Sequence, residues 1–319
     1  MKKIFLFAAA AMVSLSSCVQ TEDVYTGGVR EIGFKSAVVR GAIESSTFTG
    51  SMNVAAAWDA DGETATKGYV EYFAPTKFTD KENTNVWSGE PARYWPNVGN
   101  MQFLAHFPYN ETFNVTYANG TNGAITGYTA TVDGNETAQD DVLFSDLLTC
   151  ECAPAAQQSL KFNHAMTLLQ VNFATTLTNE NDVVKVKSVT VHDVVFDGKL
   201  TVTAAATSTA AWSNHSTATN YTFGGINTSY DLEGVFHEDQ ASTPLLILPS
   251  KTGETQTKMT VVFELNGHEM TKEAVLSANG AWEMGKKYIY NFTITANQIL
   301  FDVEVDSWTV VTTTPGITI

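Results

Sequence analysis

The sequence predicts an all-β protein built of antiparallel sandwiches, and three observations carry that expectation. Helical periodicity is almost absent. Short runs alternate apolar and polar residues instead, and Gly, Asn, Asp and Pro separate them. Strands this short and numerous, with no amphipathic helices between them, favour sandwiches over parallel α/β folds.

In chain order, Ile32, Phe34 and Val38 share one parity and mark an early strand. Met101, Phe103 and Ala105 alternate in the next clear segment, where Leu104 implies partial cover on both faces. The stretch from Asn100 to Gly127 is aromatic and rich in Asn and Gly, consistent with strands joined by long loops. One short helix is expected over Asp140 to Leu148, where Val142, Leu143 and Leu147 can share a face. Further strands are predicted at Leu168 to Phe173, Val183 to Val195, Lys199 to Thr203, Pro244 to Leu248 and Lys258 to Leu265. Tyr288 to Thr295 and Phe301 to Val305 complete the series. Turns fall at Asp133-Gly134-Asn135 and Phe196-Asp197-Gly198. Asn266-Gly267 joins two β-rich runs and is a strong hairpin signal.

The first residues are a targeting segment and stand outside the fold. Lys2 and Lys3 precede an apolar run from Ile4 to Val13, too short to span a bilayer as a permanent helix. Leu15-Ser16-Ser17-Cys18 resembles a lipobox, where a lipoprotein signal peptidase cuts and the Cys18 thiol is acylated. The competing reading is an ordinary secretory signal with an incidental cysteine. Two or more acyl chains anchor stably, because each buried methylene contributes about 0.8 kcal/mol. Glu22-Asp23 reads either as a surface-export signal of Bacteroidetes lipoproteins, which it resembles, or as a solvated tether.

Removal of residues 1–17 takes Lys2 and Lys3 with it and leaves 16 basic against 34 acidic residues, a formal charge of −18. That balance argues against nucleic acid and against adsorption to anionic lipid. Arg30, Arg40 and Arg93 are the only arginines, too few for a bidentate phosphate-binding cluster. The length suits two domains. The expected division is a signal peptide over 1–17, a tether over 18–29, an N-terminal sandwich over 30–155 and a C-terminal sandwich over 156–319.

Cys150 and Cys152 are the only cysteines beyond Cys18, and are expected to be structural. Two thiolates alone cannot complete a zinc site. The chain carries no nucleophile elbow, phosphate loop or His-Glu-x-x-His motif. Asp59, Asp61 and Glu63 begin like a calcium loop, but no glutamate follows at the twelfth position. His192-Asp193 and His237-Glu238-Asp239 are read as polar clusters at turns. No catalytic residue, cofactor or metal is expected.

Several segments resemble the fimbrillin family of Bacteroidetes. Val86-Trp87-Ser88, Ala92-Arg93-Tyr94-Trp95-Pro96 and Met101-Gln102-Phe103-Leu104-Ala105 match its first-domain core. Asp141-Val142-Leu143-Phe144 and Leu160-Lys161-Phe162-Asn163-His164-Ala165-Met166 match its domain junction. Trp282-Glu283-Met284-Gly285-Lys286-Lys287-Tyr288-Ile289-Tyr290-Asn291, then Ile299-Leu300-Phe301-Asp302 and Trp308, match its C-terminal pattern. Read physically, Trp87, Tyr94, Trp95, Phe103 and Trp282 are core side chains, His164 is a satisfied buried or half-buried histidine, and Gly285 serves a turn.

The resemblance implies two tandem transthyretin-like antiparallel β-sandwich domains and a structural fimbrial subunit on the cell surface. It also implies assembly with other subunits after an arginine-specific protease cuts at Arg40-Gly41, with Arg30 as the rival bond. Here Arg40 stands between Val39 and Gly41, outside the Thr-Arg-Ala context of many members. Loss of the strand bearing Ile32, Phe34 and Val38 would open an apolar groove. Three or four such side chains carry roughly 5–10 kcal/mol of burial. A neighbour's tail would refill the groove. The tail after Trp308, with Val310, Val311, Ile317 and Ile319, has the β-branched composition of an inserted strand. The alternative function is a surface glycan-binding lipoprotein, which exposed coplanar tryptophans would favour.

Overall fold

The computed structural model describes residues 30–40, 50–61, 68–80, 86–120, 122–134, 140–152, 154, 158–177, 179, 181–213, 215, 217–223, 243–249, 258–275, 282–295 and 299–307. These residues form strands and turns, with no helix among them.

The first half contributes β1 (Gly33–Arg40), β2 (Ser51–Asp59), β3 (Val70–Thr79), β4 (Val86–Glu90) and β5 (Asn100–Phe107). It continues with β6 (Asn114–Asn119), β7 (Asn122–Val132), β8 (Leu143–Ser145), β9 (Leu148–Glu151) and β10 (Gln158–His164). Strands β3, β2, β5, β8, β10, β1 and β4 pair in that order, and β4 returns to β3, so the seven close into a barrel-like ring. Its interior holds Ile32, Phe34, Met52, Val54, Phe73, Phe78, Trp87, Phe103, Leu143, Leu160 and Phe162. Alternation explains the lining, because successive side chains of a strand point to opposite faces.

A second core lies on the outer face of β2 and β5. There Ala55, Ala57 and Leu104 pack with Ile125 and Tyr128 of β7, and with Leu200 and Val202 of β13 (Gly198–Thr203). Leu104 therefore does report a strand covered on both faces. β13 belongs to the second half of the chain, yet it pairs antiparallel with β7, and β14 (Thr209–Ser213) extends the same sheet. With β6 and β9 attached, the sheet has twelve strands.

The remaining strands are β11 (Thr167–Thr175), β12 (Val184–Val194), β15 (Thr219–Thr222), β16 (Leu245–Ile247), β17 (Lys258–Leu265), β18 (His268–Val275), β19 (Lys286–Ile294) and β20 (Ile299–Ser307). They form two four-stranded sheets, β16-β11-β19-β20 and β15-β12-β17-β18. Both sheets contribute to one core through Val171, Phe173, Val186, Val189, Val261, Phe263, Tyr290 and Phe292.

Three expectations need correction. The 140–148 stretch is not helical: it holds β8 and β9, where Val142 faces the outer core and Leu143 the ring interior, a period of two. The pairing is not purely antiparallel, since β1 runs parallel to β10 and β11 parallel to β19. Tyr94 is not core; it is 45% exposed, while Trp87, Trp95, Phe103 and Trp282 are buried.

The Asn266-Gly267 hairpin forms between β17 and β18, with positive φ at both residues (52° and 81°), the geometry of a type I′ turn. Gly285, at φ 68°, sits in the turn entering β19, where its amide donates to the Met166 carbonyl.

Candidate functional site: strand β1 and its bed

The strand predicted to be removable is one stave of the ring. Ahead of it, the Arg30 carbonyl accepts from the Trp95 amide at 2.9 Å, and the Ile32 amide donates to the Arg93 carbonyl at 2.7 Å. Glu31 bridges to Tyr94, and the Arg30 guanidinium donates to the Pro154 carbonyl. Within β1, Gly33, Phe34 and Lys35 pair with Ser88, Trp87 and Val86 of β4. On the other edge Phe34 to Ala37 pair with Gln158 to Lys161 of β10, and Arg40 pairs with Asn163 after an irregularity. β1 thus has a strand on each side.

Its anchors are fully buried. Ile32 and Phe34 have no exposed surface. The Phe34 ring lies 5.6 Å from that of Phe78 and 5.0 Å from that of Phe103. Val38 and Arg40 are within the strand. Cys18, Gly41, Val310, Val311, Ile317 and Ile319 lie outside the described residues.

The strand beside β1 also has attachments of its own. β10 pairs with β8 on its far edge. Buried Asp146 takes the Lys161 ammonium at 2.9 Å, the Asn163 side-chain amide at 3.0 Å and the Ser208 backbone amide at 2.9 Å. One carboxylate therefore joins the strand under β1 to the β13–β14 hairpin. At the end of β10, His164 Nδ1 lies 2.6 Å from Asp141 Oδ2. Burial raises the Asp141 carboxyl above its ordinary range, and His164 opposes that shift. Sequence reading named Ile32 and Phe34 but not this bed. The signal was present in Leu160, Phe162 and His164, which alternate and share a face.

Two further polar groups are buried nearby. His106 Nδ1 is 3.0 Å from the Tyr128 hydroxyl, and burial pushes the imidazole down to about 3. Cys150 and Cys152 are free and half-buried. Burial, with Cys152 adding to it, pushes the Cys150 thiol up to about 12, and burial pushes Cys152 up to about 11. Neither is an activated nucleophile. Among the described residues no three His, Cys, Asp or Glu side chains converge on a metal-sized site. Asp59 is buried, and its Oδ1 accepts only a long contact from the Asp61 amide at 3.4 Å.

Comparison with solved structures finds the same fold. A fimbrial protein from Bacteroides vulgatus superimposes with a TM-score of 0.58 at 13% identity, over 88% of this chain and 100% of that one. A candidate cell-adhesion protein from Bacteroides uniformis gives 0.54 at 15% identity, over 89% and 99%. Another from Parabacteroides distasonis gives 0.53 at 9% identity, over 89% and 98%. No curated protein sequence matches. The fimbrillin-like family model matches residues 42–308, most of the chain. On that match, the chain belongs to the fimbrillin-like family.

Proposed function

We propose that this chain is a structural fimbrial subunit that polymerises by exchanging strand β1 for the tail of a neighbour. It is exported as a lipoprotein acylated at Cys18 and stands on the outer face of the outer membrane. An arginine-specific protease cuts the Arg40-Gly41 bond. The segment bearing Ile32, Phe34 and Val38 then departs, and the next subunit's tail, with Val310, Val311, Ile317 and Ile319, fills the gap. The role is attachment, and no chemical step is assigned to any residue.

The position of β1 carries this reading. It is one stave of a closed ring, wedged between β10 and β4, and Ile32 and Phe34 at its start are fully buried in the ring interior. Two fully buried side chains at about 1.5–3 kcal/mol each contribute roughly 3–6 kcal/mol. A whole domain has about 5–15 kcal/mol of net stability, so an empty groove is a strong drive to capture a replacement strand. Arg30 is bonded through its carbonyl to Trp95 and its guanidinium to Pro154, and Arg40 is paired with Asn163, so the choice of Arg40 over Arg30 rests on the family resemblance.

The glycan-binding alternative has less support. Among the described residues no tryptophan is fully exposed, and the half-buried Trp58 meets Tyr72 at 63° instead of forming a coplanar platform. Native digestion of unlipidated precursor with an arginine-specific protease tests the proposal by intact mass. It predicts one product beginning at Gly41, followed by a ladder of multimers. An uncut Arg40, or a cut product that stays monomeric, contradicts it.

A further inference from the structure

The cross-strand register brings together three sulfur side chains that the polymerisation account does not use. Cys150 of β9 pairs directly with Met101 of β5, and Met101 pairs in turn with Trp58 of β2. Directly paired residues point to the same face, with Cβ atoms about 5 Å apart. Cys152 lies two residues on, in the bend just past the end of β9, and packs against the same core as Cys150. The burial pattern agrees: both cysteines are half-buried, and Glu151 between them is exposed. All three sulfur side chains pack into the ring-interior core, Met101 fully buried and the two thiols at its margin.

We propose that Cys150, Cys152 and Met101 form a binding site for a single Cu(I) ion. The donor set selects the metal. Two thiols and a thioether are soft ligands, which suit Cu(I). Structural zinc takes four ligands, and calcium and magnesium take oxygen. The half-buried thiols give the ion a way in, and the buried thioether closes the inner side. On binding, two S–H protons leave to solvent, two Cu–S bonds form, and the thioether donates a lone pair. No electron is transferred.

The test titrates Cu(I) anaerobically into reduced chain 18–319 carrying Cys18→Ser, in competition with bathocuproine disulfonate. The expected result is one Cu(I) per chain withheld from the chelator, with thiolate-to-copper absorption in the ultraviolet. Binding is lost in C150S/C152S and weakened in M101L, a volume-conserving swap that cores tolerate. Circular dichroism confirms that each variant is folded. The proposal is overturned if wild type holds copper no better than C150S/C152S, or if M101L binds as tightly as wild type.

Discussion

Phe34 of β1 meets Phe103 of β5 edge-on across the interior of the ring, with ring centroids 5.0 Å apart and planes at 76°. Phe103 also receives Trp95 at 5.5 Å, so the contact joins the removable strand to the centre of the aromatic core. Phe34→Ala should therefore cost about 3–5 kcal/mol, the usual range for emptying a buried aromatic site. Urea denaturation of the uncut precursor measures it. A loss below 1 kcal/mol would mean that β1 is not anchored through this ring.

Acid should weaken the fold through His106. Its folded value of about 3 lies below the ordinary 6.5, so the unfolded chain binds the proton more tightly between those limits. The stabilisation is fully present above pH 6.5 and is lost as pH falls towards 3, up to roughly 5 kcal/mol. Asp141 acts in the opposite sense: its folded value is raised, so its contribution fades as pH rises through that raised value. Comparing unfolding free energies of wild type and H106Q across pH 3–6.5 isolates the histidine. The variant should show a shallower acid loss.

Gly127 sets how closely β13 approaches β7. A Cβ there would run into the Val202 carbonyl oxygen, which is backbone and cannot swing aside. Gly127→Ala should destabilise the protein by about 1–3 kcal/mol through forced separation of the strands. Trp212 of β14 reports the change, since its indole donates to the Ala165 carbonyl at 2.6 Å. Red-shifted tryptophan emission together with a lower melting temperature is the expected outcome.

Asp146 should matter more than a surface carboxylate. Asp146→Ala strips the partners from Asn163 and from the Ser208 amide, at about 1–3 kcal/mol for groups left unsatisfied. Hydrogen exchange at Ser208 should quicken in the variant, while exchange within β17 and β18 stays as in wild type.

Local patterns made much of this architecture legible. The parity of Ile32 and Phe34 identified buried side chains, and Asn266-Gly267 marked its hairpin because few residue pairs adopt positive φ twice in succession. The segment from Asp140 to Leu148 misled because Val142, Leu143 and Leu147 fit a helical face as well as two opposite strand faces. Tyr94 misled because it stands among core aromatics, yet lies on the bridge to Glu31 with its ring outward. Closure of the ring was illegible for a different reason. β1 and β10 are adjacent in space but far apart in sequence, and no local pattern encodes a partner that distant. The β7–β13 pairing and the Asp146 contacts share that origin.

Strand replacement itself is tested most directly by hydrogen exchange on β10. Amide exchange over residues 158–164 would be followed in intact precursor, in protein cut at Arg40, and in cut protein given a synthetic peptide of residues 308–319. The account predicts protection in the precursor, loss of protection when β1 leaves, and its return with the peptide. Protection that survives the cut, or a peptide that restores none of it, would contradict the account.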